Sequence, residues 1–319
     1  MTAQTDDALE ALLRQAGRRP APPEAVAAAV YAQTRRAWEV QVQRRTVVRR
    51  SYAWAASVLL LLLASWGAWT QYPHEIMAMA PAGQDLLITH TKWHPLAARR
   101  GGEIYAGDTM QSGATGALLR RTDGGELRLA RNSRVLFASA TELRLSQGQL
   151  FVQTGAGPRS RDLVVVTDLG SVEHIGTQFL VNRENDALLV AVRDGRVAVH
   201  YAQHAATELH GGQAMRVDSG GELRRWDLPA FDGVWDWADA LATPLAIDGH
   251  SLYAVLDQIA QRAGLTLTFG SPAAEAEARR LALHGAPLEL PPHSALDAVL
   301  ATTTLRGAAD GRQILVGAR

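Results

Sequence analysis

Twenty-two consecutive residues, Ser51 to Tyr72, carry no charge, and five of them, Leu59 to Leu63, form an unbroken leucine run. As a helix rising about 1.5 Å per residue, such a segment covers ~33 Å, enough for a ~30 Å hydrocarbon layer. Trp54 lies near one end and Trp66, Trp69 and Tyr72 near the other, where interfacial aromatics sit. Arg44, Arg45, Arg49 and Arg50 stand just before the run, and arginine is retained on the cytoplasmic side. The pattern predicts one transmembrane helix over residues 51–72, with Ala53, Leu59, Leu60, Leu61, Leu62, Leu63, Trp66 and Trp69 in the span. It places the protein in the inner membrane as a single-pass chain, N-terminus cytoplasmic and C-terminus periplasmic. A second reading is export: Arg44-Arg45 is a twin-arginine pair, and Ala78-Met79-Ala80 resembles a cleavage site.

Charge follows the same division. The chain balances 32 basic against 32 acidic residues, but residues 1–50 hold nine Arg and five acids. A net charge of zero argues against direct nucleic-acid binding, which draws on a basic excess. The absence of cysteine excludes disulfides, thiolate metal sites and a cysteine nucleophile. With 47% hydrophobic and 20% charged residues over 319, the chain has material for more than one core.

Residues 1–50 read as a short helical arm. Leu9, Leu12 and Leu13 form one stripe, the stretch Arg18 to Pro23 breaks it, and Tyr31, Trp38 and Val42 share a face of a second helix. Too short to build its own core, the arm exposes these apolar residues either to a partner's groove or to a lipid surface.

Beyond residues 73–100, read as a linker, the pattern changes to period two. Glu126 to Ala130, Glu142 to Leu145 and Arg196 to Val199 alternate apolar and polar, separated by turn signals such as Asp123-Gly124-Gly125 and Asp194-Gly195. This predicts an all-β domain over 101–225. A tryptophan-rich connector comes next (226–243, with Trp226, Trp235 and Trp237), and then an α+β domain over 244–319. In that last domain the predicted elements are strands at Pro244 to Ile247 and Leu265 to Phe269, a helix carrying Leu252, Val255, Leu256 and Ile259, short strands near Leu281 to Leu283 and Leu288 to Leu290, a helix capped by Ser294, and a closing strand at Arg312 to Val316.

Four motifs in the β region are specific in combination: Asp123-Gly-Gly-Glu-Leu-x-Leu129, Leu145-x-x-Gly-x-Leu150, Val165-x-Thr-x-x-Gly-x-Val-x-x-x-Gly176-Thr177-x-Phe-x-Val181, and Val192-x-x-Gly-x-Val-x-Val199. Their order resembles the FecR family of membrane-spanning sensors and anti-sigma factors, over about residues 100–215. The βαβ repeat after residue 244 resembles the secretin and TonB N-terminal (STN) fold. The resemblance implies a transmembrane anti-sigma factor. Its arm, through Leu9, Leu12, Leu13, Tyr31, Trp38 and Val42, would bind an extracytoplasmic-function sigma factor. Its outer part would take a signal from the periplasmic signalling domain of a TonB-dependent receptor, in a context of iron uptake, with periplasmic or intramembrane proteases as further partners. No cofactor or metal is implied, and no enzyme activity on a substrate.

The resemblance also points to the Gly176-Thr177 bond as a point of single-turnover self-cleavage, with Thr177 as nucleophile and His174 as a base near it in sequence. The plain alternative is structural: a glycine bend beside a good strand former. His90 and His94 have metal-like spacing but no acidic or thiol partners in sequence, and His200, His204 and His210 read as exposed. A competing reading of the whole chain is a membrane-anchored envelope-binding or scaffold protein whose arm is only an anchor.

Overall fold

The computed structural model describes residues 21, 23–35, 38, 59–64, 76–90, 102–155, 163–201 and 204–319. The chain divides into two units, Met1–Gln71 and Tyr72–Arg319. In the first, residues 24–35 are helical, starting where the Val26 and Ala27 amides donate to the Pro23 carbonyl.

The leucine run corrects the membrane reading. Among the described residues its helical part is 59–64, and no helix is long and apolar enough to cross a membrane. The single-pass fold class, and the inner-membrane placement with a cytoplasmic N-terminus and periplasmic C-terminus, are therefore overturned. What the described residues form is mostly β. Ala53, Trp66 and Trp69 lie outside them; Leu59 to Leu63 lie within and are exposed.

The second unit begins with a β domain of fourteen strands: β1 (Ile76–Met79), β2 (Leu86–Thr89), β3 (Glu103–Tyr105), β4 (Thr109–Ser112), β5 (Ala117–Arg121), β6 (Glu126–Leu129), β7 (Arg134–Phe137), β8 (Glu142–Gln153), β9 (Val164–Thr167), β10 (Gly170–Glu184), β11 (Ala187–Tyr201), β12 (Thr207–His210), β13 (Gln213–Asp218) and β14 (Leu223–Asp227). All their pairings are antiparallel except that of β8 with β9. The path β14-β13-β11-β10-β9-β8-β6-β5-β1-β3 makes one continuous sheet, with β12 beside β11 and the β2-β4-β7 branch joining at β8. β1 and β2 come from the stretch read as a linker, and Ala78 is fully buried there.

Three long strands, β8, β10 and β11, each serve two parts of this sheet. The first half of β10 pairs with β9, its second half with β8, and β11 accompanies both halves. The β10–β11 hairpin turns on Asn185 and Asp186, both with positive φ (51° and 54°), the two-residue turn whose twist suits paired strands. The alternating residues enclose the main core, among them Leu127, Val152, Phe179 and Val192.

The opposite face carries a second, smaller core. Arg128, Phe151, Leu180, Ala191, Ala214 and Trp226 form one cross-strand row from β6 to β14. The two alanines leave a socket in that row, filled by the fully buried Trp235 of the connector, edge-on to Phe151 at 6.2 Å. Trp235 closes a short 3-10 turn (Gly233–Trp235), started by the Asp232 carboxylate accepting from the Val234 amide, and leads into helix α1 (Asp236–Ala240).

The C-terminal domain comprises α2 (Leu252–Ala263), β15 (Thr266–Phe269), α3 (Pro272–Arg280), α4 (Pro292–Ala301), β16 (Leu305–Asp310) and β17 (Gln313–Ala318). Its sheet order is β15-β17-β16, with β15–β17 parallel and β16–β17 antiparallel. Helix α2 is capped by the Ser251 hydroxyl, buries Leu252, Val255, Leu256 and Ile259, and stops at Gly264 in the left-handed region. Leu245 and Leu288 form only a lone bridge with each other, and Ala282 only one with Ser251. The expected short strands there are single contacts because each is too brief to build a ladder. Helix α4 begins at Pro292, so Ser294 is inside it and caps nothing.

Candidate functional site

The long strands must bend where the sheet folds over, and Gly176-Thr177 is one such place. Ile175 pairs with Arg196 and Gln178 with Asp194, so two residues of β10 face only Gly195 of β11. Immediately after, Phe179 pairs with Val192, skipping Arg193. The result is a double bulge. Its first consequence is a change of side-chain parity. Val172 and His174 are buried before it, and Thr177, Phe179 and Val181 after it. Without the extra residue Thr177 would turn outward and Gly176 inward.

Gly176 has φ +60°, which a left-handed bulge position requires and glycine tolerates. Gly195 opposite has φ +77°, and a Cβ there would lie 2.4 Å from the Gly176 carbonyl oxygen and 2.6 Å from Thr177 Cγ2. The two glycines thus allow two backbones to meet at the bulge.

Thr177 is 3% exposed, and its Oγ1 is buried without a hydrogen-bond partner. Its backbone is held firmly. Its amide donates to Thr154 Oγ1 at 3.0 Å, and its carbonyl accepts from the Thr154 amide at 3.1 Å. His174 is buried nearby, stacked on Phe179, with Nε2 accepting from the Leu163 amide at 3.3 Å. The Thr177 hydroxyl has no hydrogen-bond partner, so His174 is not bonded to it in this structure. The site consists of a glycine carbonyl, an unengaged hydroxyl on the next residue and a rigid β frame.

Beside this bulge runs a buried cluster of arginines that joins the β domain to the connector and to α2. Arg193 is fork-bonded to Asp239, 2.7 Å on each arm, with its guanidinium 4.7 Å from the Trp235 ring centroid. It also donates to the Arg262 carbonyl at the end of α2. Arg128 donates to the Ala238 carbonyl and to Glu126, over the Phe151 ring. Burial lowers the Arg262 pKa, aided by the Arg128 charge and opposed by Glu126 and Asp239. Nothing in the sequence pattern marked Arg193 or Arg128: each is a charged residue within a strand, and only the packing of both guanidiniums over the Phe151 ring, at 5.9 and 4.9 Å, goes with their burial.

The other expected residues are scattered. Tyr31 and Trp38 are exposed, at 78% and 65%; Leu9, Leu12, Leu13 and Val42 lie outside the described residues. His90 bonds to Asp108 at 2.8 Å, and His94 lies outside the described residues. Among the described residues no group of three or more His, Cys, Asp or Glu is placed to hold a metal ion. His200 and His210 approach Glu173 and Glu208 at the surface, and His204 stacks on Tyr201.

Residues 108–198, from just before β4 to within β11, match the family model described as FecR protein. The match lies wholly within the β domain. The matched stretch contains the double bulge and Arg193, while the connector and the C-terminal domain lie beyond it. Two crystal structures of a candidate anti-sigma factor from Parabacteroides distasonis, at 2.50 and 1.65 Å, are each 15% identical to this chain, with a TM-score of 0.35. They cover 66% and 65% of this chain and 98% and 97% of their own. No curated protein matches the chain.

Proposed function

We propose that this chain is an anti-sigma factor and signal transducer of the FecR type. The FecR domain over residues 108–198 carries that reading. The arm supports it: on the helix over 24–35, Val26, Val30 and Tyr31 are exposed, as is Trp38 beyond it. Such a stripe suits the groove of a partner protein. The partner is an extracytoplasmic-function sigma factor. The second unit receives the signal from the signalling domain of a TonB-dependent receptor, with the α+β domain acting as an STN-like docking module.

The Gly176-Thr177 bond is the processing point. Thr177 Oγ1 attacks the Gly176 carbonyl carbon, forming an ester as the C–N bond breaks. The hydroxyl proton passes to the released nitrogen, and water then hydrolyses the ester to leave a free Gly176 carboxylate and a new Thr177 N-terminus. The buried, unengaged hydroxyl and the left-handed glycine support this step.

Full-length protein co-expressed with each extracytoplasmic-function sigma factor of the host is expected to retain one on purification. Tyr31→Ala with Trp38→Ala is expected to reduce retention at least tenfold. Retention of none, or undiminished retention by the double variant, would refute the assignment. For processing, immunoblots are expected to show two fragments in wild type and Thr177→Ser but one intact chain in Thr177→Ala.

A further inference from the structure

The C-terminal domain touches the FecR domain at the residues where the β10–β11 register slips. Gln178 and Asp194, the pair flanked by the two shifts, are each bonded to it. Gln178 Nε2 donates to the Gln261 carbonyl in the last turn of α2 at 2.7 Å, and Asp194 accepts from Arg312 at 3.4 Å. Arg193, the residue the register skips, offers its carbonyl to Arg312 Nη1 at 3.0 Å, while Arg312 Nη2 also reaches the Gly264 carbonyl at 2.8 Å. Gly264, the left-handed stop of α2, sits so close that a Cβ would lie 2.6 Å from that same Arg193 carbonyl oxygen. A groove of about 450 Å³ opens beside these contacts, lined by Gln178, Asp194, Gln261, Thr266 and Arg312 among others.

A bulge interrupts the ladder that would otherwise define a strand pair, so its shape depends on whatever else bonds to it. Here Thr154 holds Thr177 from within the sheet, and the further bonds, at Gln178, Arg193 and Asp194, come from a separate domain. We propose that the C-terminal domain is a clamp on the Gly176-Thr177 bulge, with Arg312 and the end of α2 as its jaws. Seated, it fixes the slipped pairing that buries Thr177. Unseated, the pairing relaxes and the bond changes its exposure. A partner that draws the C-terminal domain away would then be read out at one peptide bond in the FecR domain. The use of the clamp rests on the processing reading above; its existence does not.

Hydrogen exchange on the full chain tests it, in the Thr177→Ala background so that no cleavage intervenes. Arg312 lies in the β16–β17 turn and Gln178 projects from the sheet toward α2, so Arg312→Ala and Gln178→Ala alter contacts between the domains. Each is expected to speed exchange at least tenfold in residues 174–180, with residues 126–129 and 314–316 unchanged. Unchanged exchange at 174–180 in both variants would overturn the clamp, as would an even loss of protection across both domains. In the Thr177 chain, fragment yield on immunoblots is then expected to shift in both variants. If exchange shifts but no variant or wild type is ever cut, the processing reading fails and the clamp stands.

Discussion

The FecR domain and the C-terminal domain solve the problem of burying a sheet in opposite ways. The first folds one long sheet over itself, so its main core is built from strands alone and needs bends at glycines to close. The second has three short strands and covers them with helices, so its core is a helix stripe against a sheet face. The difference shows in where each keeps its irregularities. In the C-terminal domain the left-handed Gly264 ends a helix. In the FecR domain the left-handed Gly176 and Gly195 lie inside 15-residue strands, at a place where the backbone has no helical alternative. A self-closing sheet stores its special conformations mid-strand, where another domain can reach them.

The comparison breaks most readily at the joint. Arg193→Ala leaves Asp239 buried without its partner, and removing one member of a buried pair costs about 3–5 kcal/mol. Urea unfolding followed by tryptophan fluorescence is expected to split into two transitions, the C-terminal domain separating first. A single unshifted transition would mean that the two domains do not depend on this contact.

Trp235→Ala empties the alanine-lined socket, at about 3 kcal/mol or more. The loss is expected to fall on the smaller core while the main core of the FecR domain retains its exchange protection. Equal loss of protection in both cores would show that the two faces of the sheet are one energetic unit.

Gly195→Ala and Gly176→Ala sharpen the comparison within the FecR domain. Both force a left-handed side-chain residue, worth about 1–2 kcal/mol. At Gly176 the space around a Cβ is open, whereas at Gly195 it meets backbone at 2.4 Å. Thermal melts are therefore expected to rank Gly195→Ala below Gly176→Ala. By contrast, Ser251→Ala removes the hydroxyl cap of α2 and is expected to cost about 1 kcal/mol, confined to the C-terminal domain.

The smallest effect is electrostatic. The hydrogen bond from Arg183 holds the Asp168 carboxyl below its ordinary range, helped by the charge of the same guanidinium. A carboxyl depressed in the folded state stabilises the fold above its unfolded pKa and loses that contribution as pH falls through the folded value. Asp168→Asn is thus expected to flatten the acid limb of the stability curve slightly below about pH 4. Asp168 is largely exposed, so high salt is expected to erase most of the difference.

Much of the FecR domain was legible from residue order. Period-two alternation at Glu126 to Leu129 and Glu142 to Leu145 reports a half-buried strand directly, and the Gly-Thr-x-Phe-x-Val motif marked the site. The parity change at Gly176 was not legible. Residues 172 to 181 read either as a continuous strand or as a bend, and only the pairing with β11 decides between them. The C-terminal helix α2 was also readable, since Leu252, Val255, Leu256 and Ile259 recur at helical spacing. The strand β16 (Leu305–Asp310) was missed because Arg-Gly-Ala-Ala-Asp has little strand propensity; its pairing with β17 imposes the conformation. The leucine run misled for a related reason. Hydrophobicity and length describe what a segment could span, and among the described residues no helix is long and apolar enough to cross a membrane.

By itself, the sequence determined the local period of each segment, the turns between them and the motifs that resemble the FecR family, because alternation and glycine spacing act over a few neighbouring residues. Tertiary structure alone decided that Arg193, Asp194 and Gln178 meet Gln261, Gly264 and Arg312, since the residues that bond across the domains are 69 to 119 positions apart. Contacts that distant leave no periodic trace in a chain. They exist only once a sheet has folded over and presented its bulge to another domain.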